Sequence, residues 1–405
     1  MVAVFVLMSL AGNAATVTQE PPNVFCAESW NWLVLAAPPF ATDFSLTVAP
    51  PGAQLSGTGV LWRPAKSDLG FYDLRYQYRL ANGQVRQVSR RFEVKPLRHA
   101  LFVFAHQDDE FGIMPKILDL HRQGVDCHLV WMNGGNETRN QESRVAMALA
   151  GFPATSLEFL RLNGIENPQG FAEHAAGFQN LLKQEAFDQV YVPAYEGGHL
   201  QHDLVHAAVV RGAQAAGFRG MIYEFGLYHL EHNLPMPFSL LPAPVPAIQM
   251  TVNGGTLDLV QRMAACHRSQ WPIVYGFVYG MNRAKKTHPE YRPLPAWDYS
   301  RPPTKGWLWY EASVGHPASF AQFRQAVGCA PAVRPGTMPP IRWAQDVAPG
   351  ARKTVPDQPG QAVVTLVQPY SALAWLLPVV LIGMVTASGI YFHRRFQNRR
   401  RKSRD

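Results

Sequence analysis

Cysteine is scarce in this 405-residue chain. Cys26, Cys127, Cys266 and Cys329 are the only four, and no two form a Cys-x-x-Cys pair. That spacing excludes a cysteine zinc cluster and a redox dithiol. Cys127 lies in a strand-like run and reads as a small buried hydrophobe. No internal repeat is present, so a solenoid is excluded. No glycine fingerprint follows the first strand-like run of the central region, which removes dinucleotide binding. Basic charge is also missing from most of the chain. The formal net charge is +8, but residues 393–405 hold seven Lys/Arg and one Asp and so account for +6 of it. The body is close to neutral, and nucleic acid is not an expected partner.

Two segments describe topology. Val2 to Leu10 is a short apolar run, and Gly12-Asn13-Ala14 supplies small residues for cleavage. Residues 1–15 resemble a secretory signal, although the positively charged leading region is missing. Residues 372–392 form a 21-residue stretch without a charge. As a helix it is about 32 Å long, enough for a hydrocarbon core of about 30 Å. Trp375 and Tyr391 lie near its ends, as in aromatic belts. The basic tail at 393–405 follows at once, which by the positive-inside rule is cytoplasmic. The expected address is an inner or plasma membrane of bacterial type, with the body outside. Anionic lipid contact by the tail fits the same arrangement.

The body divides by periodicity. Residues 23–96 alternate polar and apolar positions in short segments, and Tyr72 to Leu80 runs into Asn82-Gly83, a two-residue hairpin signal. Gly59-Val60-Leu61-Trp62 and Gly70-Phe71-Tyr72 resemble landmarks of bacterial Ig-like modules. A small β-sandwich is expected there. Residues 98–330 alternate strand-like and helix-like segments, which predicts an α/β domain, a Rossmann-like parallel sheet with helices on both faces. Residues 331–370 are rich in Pro, Gly and Gln and read as a linker. The stretch from Pro289 to Pro303 reads as a loop, and Trp271 to Tyr279 as core or pocket wall.

The chemistry sits after two of the strand-like runs. Ala100-Leu101-Phe102-Val103-Phe104 leads into Ala105-His106-Gln107-Asp108-Asp109-Glu110. Gln189-Val190-Tyr191-Val192 precedes Gly197-Gly198-His199-Leu200-Gln201-His202-Asp203. Strand ends of an open α/β sheet are where ligands bind, and zinc in a hydrolytic site takes three ligands from His, Asp or Glu. His106 and Asp109 are three apart, as are His199 and His202, so each pair shares a face on a helical turn. Asp108 stands beside a ligand, where a general base belongs. Taken singly, the first stretch reads equally well as a solvated helix N-terminus, and His199 and His202 as loop polar residues. Their joint occurrence is what points to a metal. His206 and Asp203 read as supporting or surface residues.

These motifs resemble the PIG-L/LmbE-like family of zinc-dependent N-deacetylases, whose patterns are Ala-His-Pro-Asp-Asp-Glu and Gly-His-Pro-Asp-His. Gln107 stands where the family has proline, a position of backbone shape. Leu200 and Gln201 replace a Pro-Asp pair, a change expected to bear on His199. Arg139 to Ala146 is similar to the family's Arg/Glu helix, and His267-Arg268-Ser269-Gln270 to its His-x-Ser-Gln element. The resemblance implies that His106, Asp109 and His202 bind Zn2+, with another divalent metal permitted by the donor set. It implies Asp108 as general base, His199 as acid or oxyanion stabiliser, and Arg139 as a substrate contact. Arg144, Glu142, His267 and Gln270 read as structural. The activity it implies is removal of acetyl from an N-acetylated amino sugar in a glycan or glycolipid. Two other readings stay open: an amidohydrolase acting on a small N-acyl amide, and a non-catalytic glycan-binding protein.

Overall fold

Alternating side chains between residues 31 and 95 build antiparallel pairs, to which the strand at 24–26 adds in parallel. The computed structural model describes residues 16–17, 24–38, 40–160, 164–231, 234–250, 252–271, 274, 278, 289–312 and 318–328. The expected signal, linker, membrane segment and basic tail lie outside these residues, as does Cys329. No helix among the described residues is long and apolar enough to cross a membrane. The N-terminal strands are β1 (Thr16–Val17), β2 (Val24–Cys26), β3 (Asn31–Val34), β4 (Thr42–Val48), β5 (Gln54–Ser56), β6 (Gly59–Trp62), β7 (Gly70–Arg79) and β8 (Val85–Lys95). One sheet has the order β2-β8-β7-β4 and another β3-β6-β5. The Asn82-Gly83 hairpin joins β7 to β8. Its loop is three residues, because Leu80 and Gln84 pair across Ala81-Asn82-Gly83 and Gly83 takes φ 82°. Trp62 is buried against Phe25, Tyr72 and Phe92, and its indole N–H donates to the Pro51 carbonyl at 3.0 Å.

The next stretch alternates strand and helix. It runs β9 (His99–Phe104), α1 (Met114–Arg122), β10 (Asp126–Trp131), α2 (Glu137–Leu149), β11 (Leu157–Phe159), α3 (Pro168–Gln184), β12 (Gln189–Pro193), α4 (Leu200–Ala216) and β13 (Met221–Phe225). Asn136 and Asn167 cap α2 and α3 by accepting backbone N–H groups of Arg139 and Gly170. Gly217, left-handed at φ 67°, ends α4. The chain continues through β14 (Tyr228–Glu231), β15 (Leu234–Pro237), β16 (Ile248–Gln249), α5 (Gly254–Ala264), β17 (Glu290–Pro293), β18 (Trp297–Asp298), α6 (Trp309–Ala312) and α7 (Phe320–Gly328).

The main sheet has seven strands in the order β11-β10-β9-β12-β13-β17-β16. β11 through β13 are mutually parallel, as expected. β17 and β16 are antiparallel additions. The sheet is therefore mixed, and part of the expected Pro289–Pro303 loop is a strand, β17, paired on one side with β13 and on the other with β16. Pro289 directly precedes β17, and Pro293 is its last residue. Its register sets Arg292 opposite Glu224, and the two buried side chains pair at 2.6 Å. A four-residue strand that ends in proline leaves no periodicity to read.

β9 is buried on both faces. Leu101 and Val103 face α3, α4 and α7, while Phe102 and Phe104 face α1, α2 and α5. That second core continues into the N-terminal sheets, and the Tyr223 hydroxyl donates to the Trp30 carbonyl at 2.7 Å. The chain order reverses between β9 and β12, whose carboxyl ends form the switch point where ligands bind in such sheets.

His174 on α3 is almost fully buried, and neither ring nitrogen has a hydrogen-bond partner. Burial lowers its pKa to about 4. The neutral ring is therefore compatible with the fold at pH 7, and stability is lost as pH falls from about 6.5 through 4. The loss across that window is about 3 kcal/mol. Urea unfolding at pH 7, 5 and 4 measures it. His174→Gln is expected to flatten the pH dependence, and an unchanged slope in that variant contradicts the assignment.

Candidate active site

Two loops meet at the switch point, and each carries its side chains for a local reason. After β9 the chain turns sharply, and a single 3-10 turn covers Asp109–Gly112. Asp108 precedes it at φ 125°, ψ −19°. A non-glycine residue in that region costs about 1–3 kcal/mol and persists only where its surroundings hold it. The holding groups are explicit. Glu110, fully buried, accepts the Asp108 N–H at 2.8 Å and the Trp131 indole N–H at 3.0 Å on one oxygen. Its other oxygen lies 3.4 Å from His267 Nε2 and 3.5 Å from Ser143 Oγ. The Gln107 carbonyl accepts from Arg139 Nη2 at 2.5 Å and from Gln270 Nε2 at 2.8 Å.

Gln107 does more than shape the backbone. Its amide donates to the Asn133 carbonyl at 3.1 Å and to Asn140 Oδ1 at 2.5 Å. A proline at that position supplies neither bond. Glu142 on α2 accepts both the backbone N–H and the hydroxyl of Ser269, at 2.7 and 2.6 Å. The Arg/Glu helix and the His-x-Ser-Gln element thus clamp the Asp108 turn from two sides.

The second loop follows β12. Gly198 lies against the Tyr228 carbonyl, which a Cβ would meet at 1.9 Å. Asp203, expected as a solvated or supporting residue, is buried and accepts the N–H groups of Glu196 and Gly197 at 3.1 and 3.2 Å. Glu196 in turn accepts from Leu227 and Tyr228 at 2.9 and 2.8 Å. His206 is buried and donates Nδ1–H to the Pro193 carbonyl at 2.8 Å. Both fix the loop from within. His199 caps α4, and its Nδ1 accepts the Gln201 N–H at 3.2 Å. In the neutral ring the hydrogen is therefore on Nε2.

All six residues singled out by sequence, His106, Asp108, Asp109, Arg139, His199 and His202, line one cavity of about 290 Å³. His106 Nδ1 lies 3.3 Å from His202 Nε2, and His202 Nε2 lies 3.1 Å from Asp109 Oδ1. Asp109 Oδ2 lies 3.7 Å from His106 Nδ1 and accepts the His106 backbone N–H at 2.7 Å. Ligands at about 2.0–2.1 Å in a tetrahedral zinc site sit about 3.3 Å apart, so this donor set fits such an ion. Ring nitrogens of His106, His199 and His202 also gather within 4.8 Å of one another. That triad is looser, and it takes a nitrogen from the helix cap or from the far side of the His199 ring.

The same turn holds two carboxyls in opposite states. Burial disfavours the Asp109 charge, but His202 and His106 outweigh it and hold the pKa below the ordinary range. Burial also opposes charge on His202, yet the Asp109 carboxylate raises its pKa. Burial, then Asp109, raises the Asp108 pKa well above normal, against the pull of Arg139. Arg139 Nη2 lies 3.4 Å from Asp108 Oδ1. Sequence reasoning missed the apolar and aromatic walls, Phe111, Leu227, Tyr228 and Phe238. The last three come from the stretch after β13, which carries no motif. Gln270, read as structural, lines the cavity, and Val274 places part of the Trp271–Tyr279 stretch in its wall.

Residues 101–213 match the PIG-L family model, described as GlcNAc-PI de-N-acetylase. No curated protein matches the chain. Solved structures that resemble it include a triple mutant of a deacetylase from the teicoplanin biosynthetic pathway, at 11% identity and TM-score 0.40, covering 50% of this chain and 99% of that one. The N,N'-diacetylchitobiose deacetylase from Pyrococcus horikoshii is similar at 16% identity and TM-score 0.37, covering 51% and 88%. A 4-carboxy-2-hydroxymuconate hydratase from Pseudomonas putida is similar at 14% identity and TM-score 0.36, covering 52% and 100%.

Glu110 is the buried acceptor on which the Asp108 backbone rests. Glu110→Ala leaves the Asp108 and Trp131 N–H groups without their acceptor, and is expected to destabilise the protein by about 3 kcal/mol. The urea midpoint, followed by tryptophan fluorescence, measures it. A change below about 0.5 kcal/mol contradicts the role given to Glu110.

Proposed function

We propose that this chain is a metal-dependent N-deacetylase that hydrolyses the acetamide of an N-acetylated amino sugar in a glycan or glycolipid. Its class, a hydrolase acting on a linear amide, is that of the PIG-L domain at residues 101–213. The observation that carries the reading is the convergence of His106 Nδ1, Asp109 Oδ1 and His202 Nε2 beside Asp108 in one cavity. These three residues would hold the ion. When bound there, a divalent metal, zinc first, supplies Lewis acidity and lowers the pKa of water.

The chain's own residues do the rest. Asp108 takes the proton of the attacking water, and its raised pKa brings it toward the working pH of a general base. His199 presents Nε2–H to the carbonyl oxygen as that oxygen becomes negative, or to the departing amine. Arg139 holds the Asp108 turn through the Gln107 carbonyl and sets a positive charge at the cavity wall, where a polar substrate group can meet it. Leu227, Phe238 and Val274 give the cavity apolar walls that limit water. We extend the proposal to the chain's address. The apolar segment 372–392 anchors the protein in the membrane once, the basic residues 393–405 stay inside, and the catalytic domain is outside.

The test is metal content and acetate release by the full chain in detergent, with N-acetylglucosamine oligomers as substrate. Asp108→Ala is expected to lower kcat by about 10²–10⁴-fold with bound zinc unchanged. Because the base must be ionised, kcat/KM should fall as pH drops through a limb above the ordinary carboxylate range. A protein that binds no divalent metal, or acetate release indifferent to Asp108→Ala, refutes the reading. For the address, protease added to intact cells should remove the body and leave an epitope at residue 405 protected; loss of that epitope in intact cells refutes the orientation.

A further inference from the structure

Gln201 stands where the resembling family has an aspartate, and its side chain does not reach toward His199. Its carbonyl oxygen lies 2.5 Å from His106 Nε2, and its amide nitrogen donates to Glu166 Oε1. The orientation of that amide is set by its partners. The Glu166 carboxylate only accepts, so the Gln201 NH2 must face it, and the Gln201 carbonyl must face His106. A carbonyl also only accepts. His106 Nε2 therefore carries the hydrogen, and in a neutral ring the lone pair is on Nδ1, the nitrogen beside His202 Nε2 and Asp109.

We infer that Gln201, oriented by Glu166, is a positioning residue that fixes the tautomer and ring angle of His106 so that Nδ1 faces the metal. The inference rests on the metal site proposed above. Gln201 and Glu166 both line a second cavity of about 210 Å³, which does not include His106. The Gln201–His106 bond therefore links that cavity to the catalytic one, and an uncharged amide holds a metal ligand there with the carboxylate one bond further away. Partners of this kind, one bond beyond the ligand, typically change metal affinity by about 10–100-fold.

Zinc affinity of the full chain, measured by competition with a chromophoric chelator, tests this. Gln201→Met keeps the length and removes the acceptor, and should weaken zinc binding by about 10–100-fold. The double variant Gln201→Glu with Glu166→Gln restores an acceptor against His106 and should bind zinc at least as tightly as the unaltered protein. Nitrogen-15 NMR of the zinc-free protein, labelled at histidine and assigned with His106→Gln, should show the hydrogen on Nε2 of His106. Equal zinc affinity in Gln201→Met, or a hydrogen on Nδ1, overturns the inference and leaves the catalytic reading intact. An unaltered chain that binds no zinc refutes the metal site itself. If Gln201→Met does not fold, the tautomer in the unaltered protein decides.

Discussion

The site depends on one backbone conformation. Asp108 sits at φ 125° in a turn of only a few residues, and no feature of an aspartate favours that geometry. What holds it is a buried carboxylate from the same turn and two donors on the preceding carbonyl, one from α2 and one from the His-x-Ser-Gln element. Those donors lie in sequence well beyond the turn they hold. The Asp108 turn is held by contacts from α2 and from residues 266–270. The cost of the strained residue is offset by long-range contacts, so the site is a property of the folded domain and not of its motif.

The same dependence explains the burial around the sheet. Strands β9, β10, β12 and β13 are covered on both faces, and the coverage is what allows charged groups beneath the cavity to be arranged without water. Glu224 pairs with Arg292 and with the Trp297 indole N–H, at 2.6 and 2.8 Å. Asp203 uses one oxygen on backbone N–H groups of the second loop, and Glu196 uses one on those of Leu227 and Tyr228 after β13. Burial raises the Asp203 pKa to about 8, so that side chain is mainly neutral at pH 7, while Glu224 keeps its charge beside Arg292. The N-terminal sheets add to this cover, because their apolar interior is continuous with that of the catalytic sheet.

Much of this was legible in sequence, and for identifiable reasons. Strands buried on both faces read as apolar runs, and helices ended by Gly or opened by Asn carry their own punctuation. Five of the six cavity residues are legible because they sit in two His/Asp motifs that follow strands β9 and β12, and Arg139 because its helix resembles the family's Arg/Glu helix. What escaped has no local signal. β17 is four residues ending in proline, recognisable only by its pairing with β13 and β16. Tyr228 and Phe238 reach the cavity through a hairpin whose position is set by Glu196 and Gly198. The Gln201 contact with His106 has no signal in the sequence, because it joins residues 95 positions apart. Asp203 reads from sequence as either supporting or surface, and the choice is made only by two backbone N–H partners in a loop folded over it.

Adjacent carboxyls in one turn need different surroundings to do different work. Asp109 and Asp108 share a dipeptide and are both shielded from water, so burial pushes both toward the neutral form. The divergence comes from what each faces. Asp109 meets two imidazoles and stays ionised, the state a metal ligand requires. Asp108 meets Asp109 itself, a like charge, with Arg139 as a partial counterweight, and its proton is held more tightly. Two titratable groups pushed apart in this way mark a division between a fixed anion and an acid–base group. The strained backbone at Asp108 is what separates their directions: an ordinary helical turn would have carried both side chains on along the helix surface, and only one of them could have faced the histidines while the other faced the cavity.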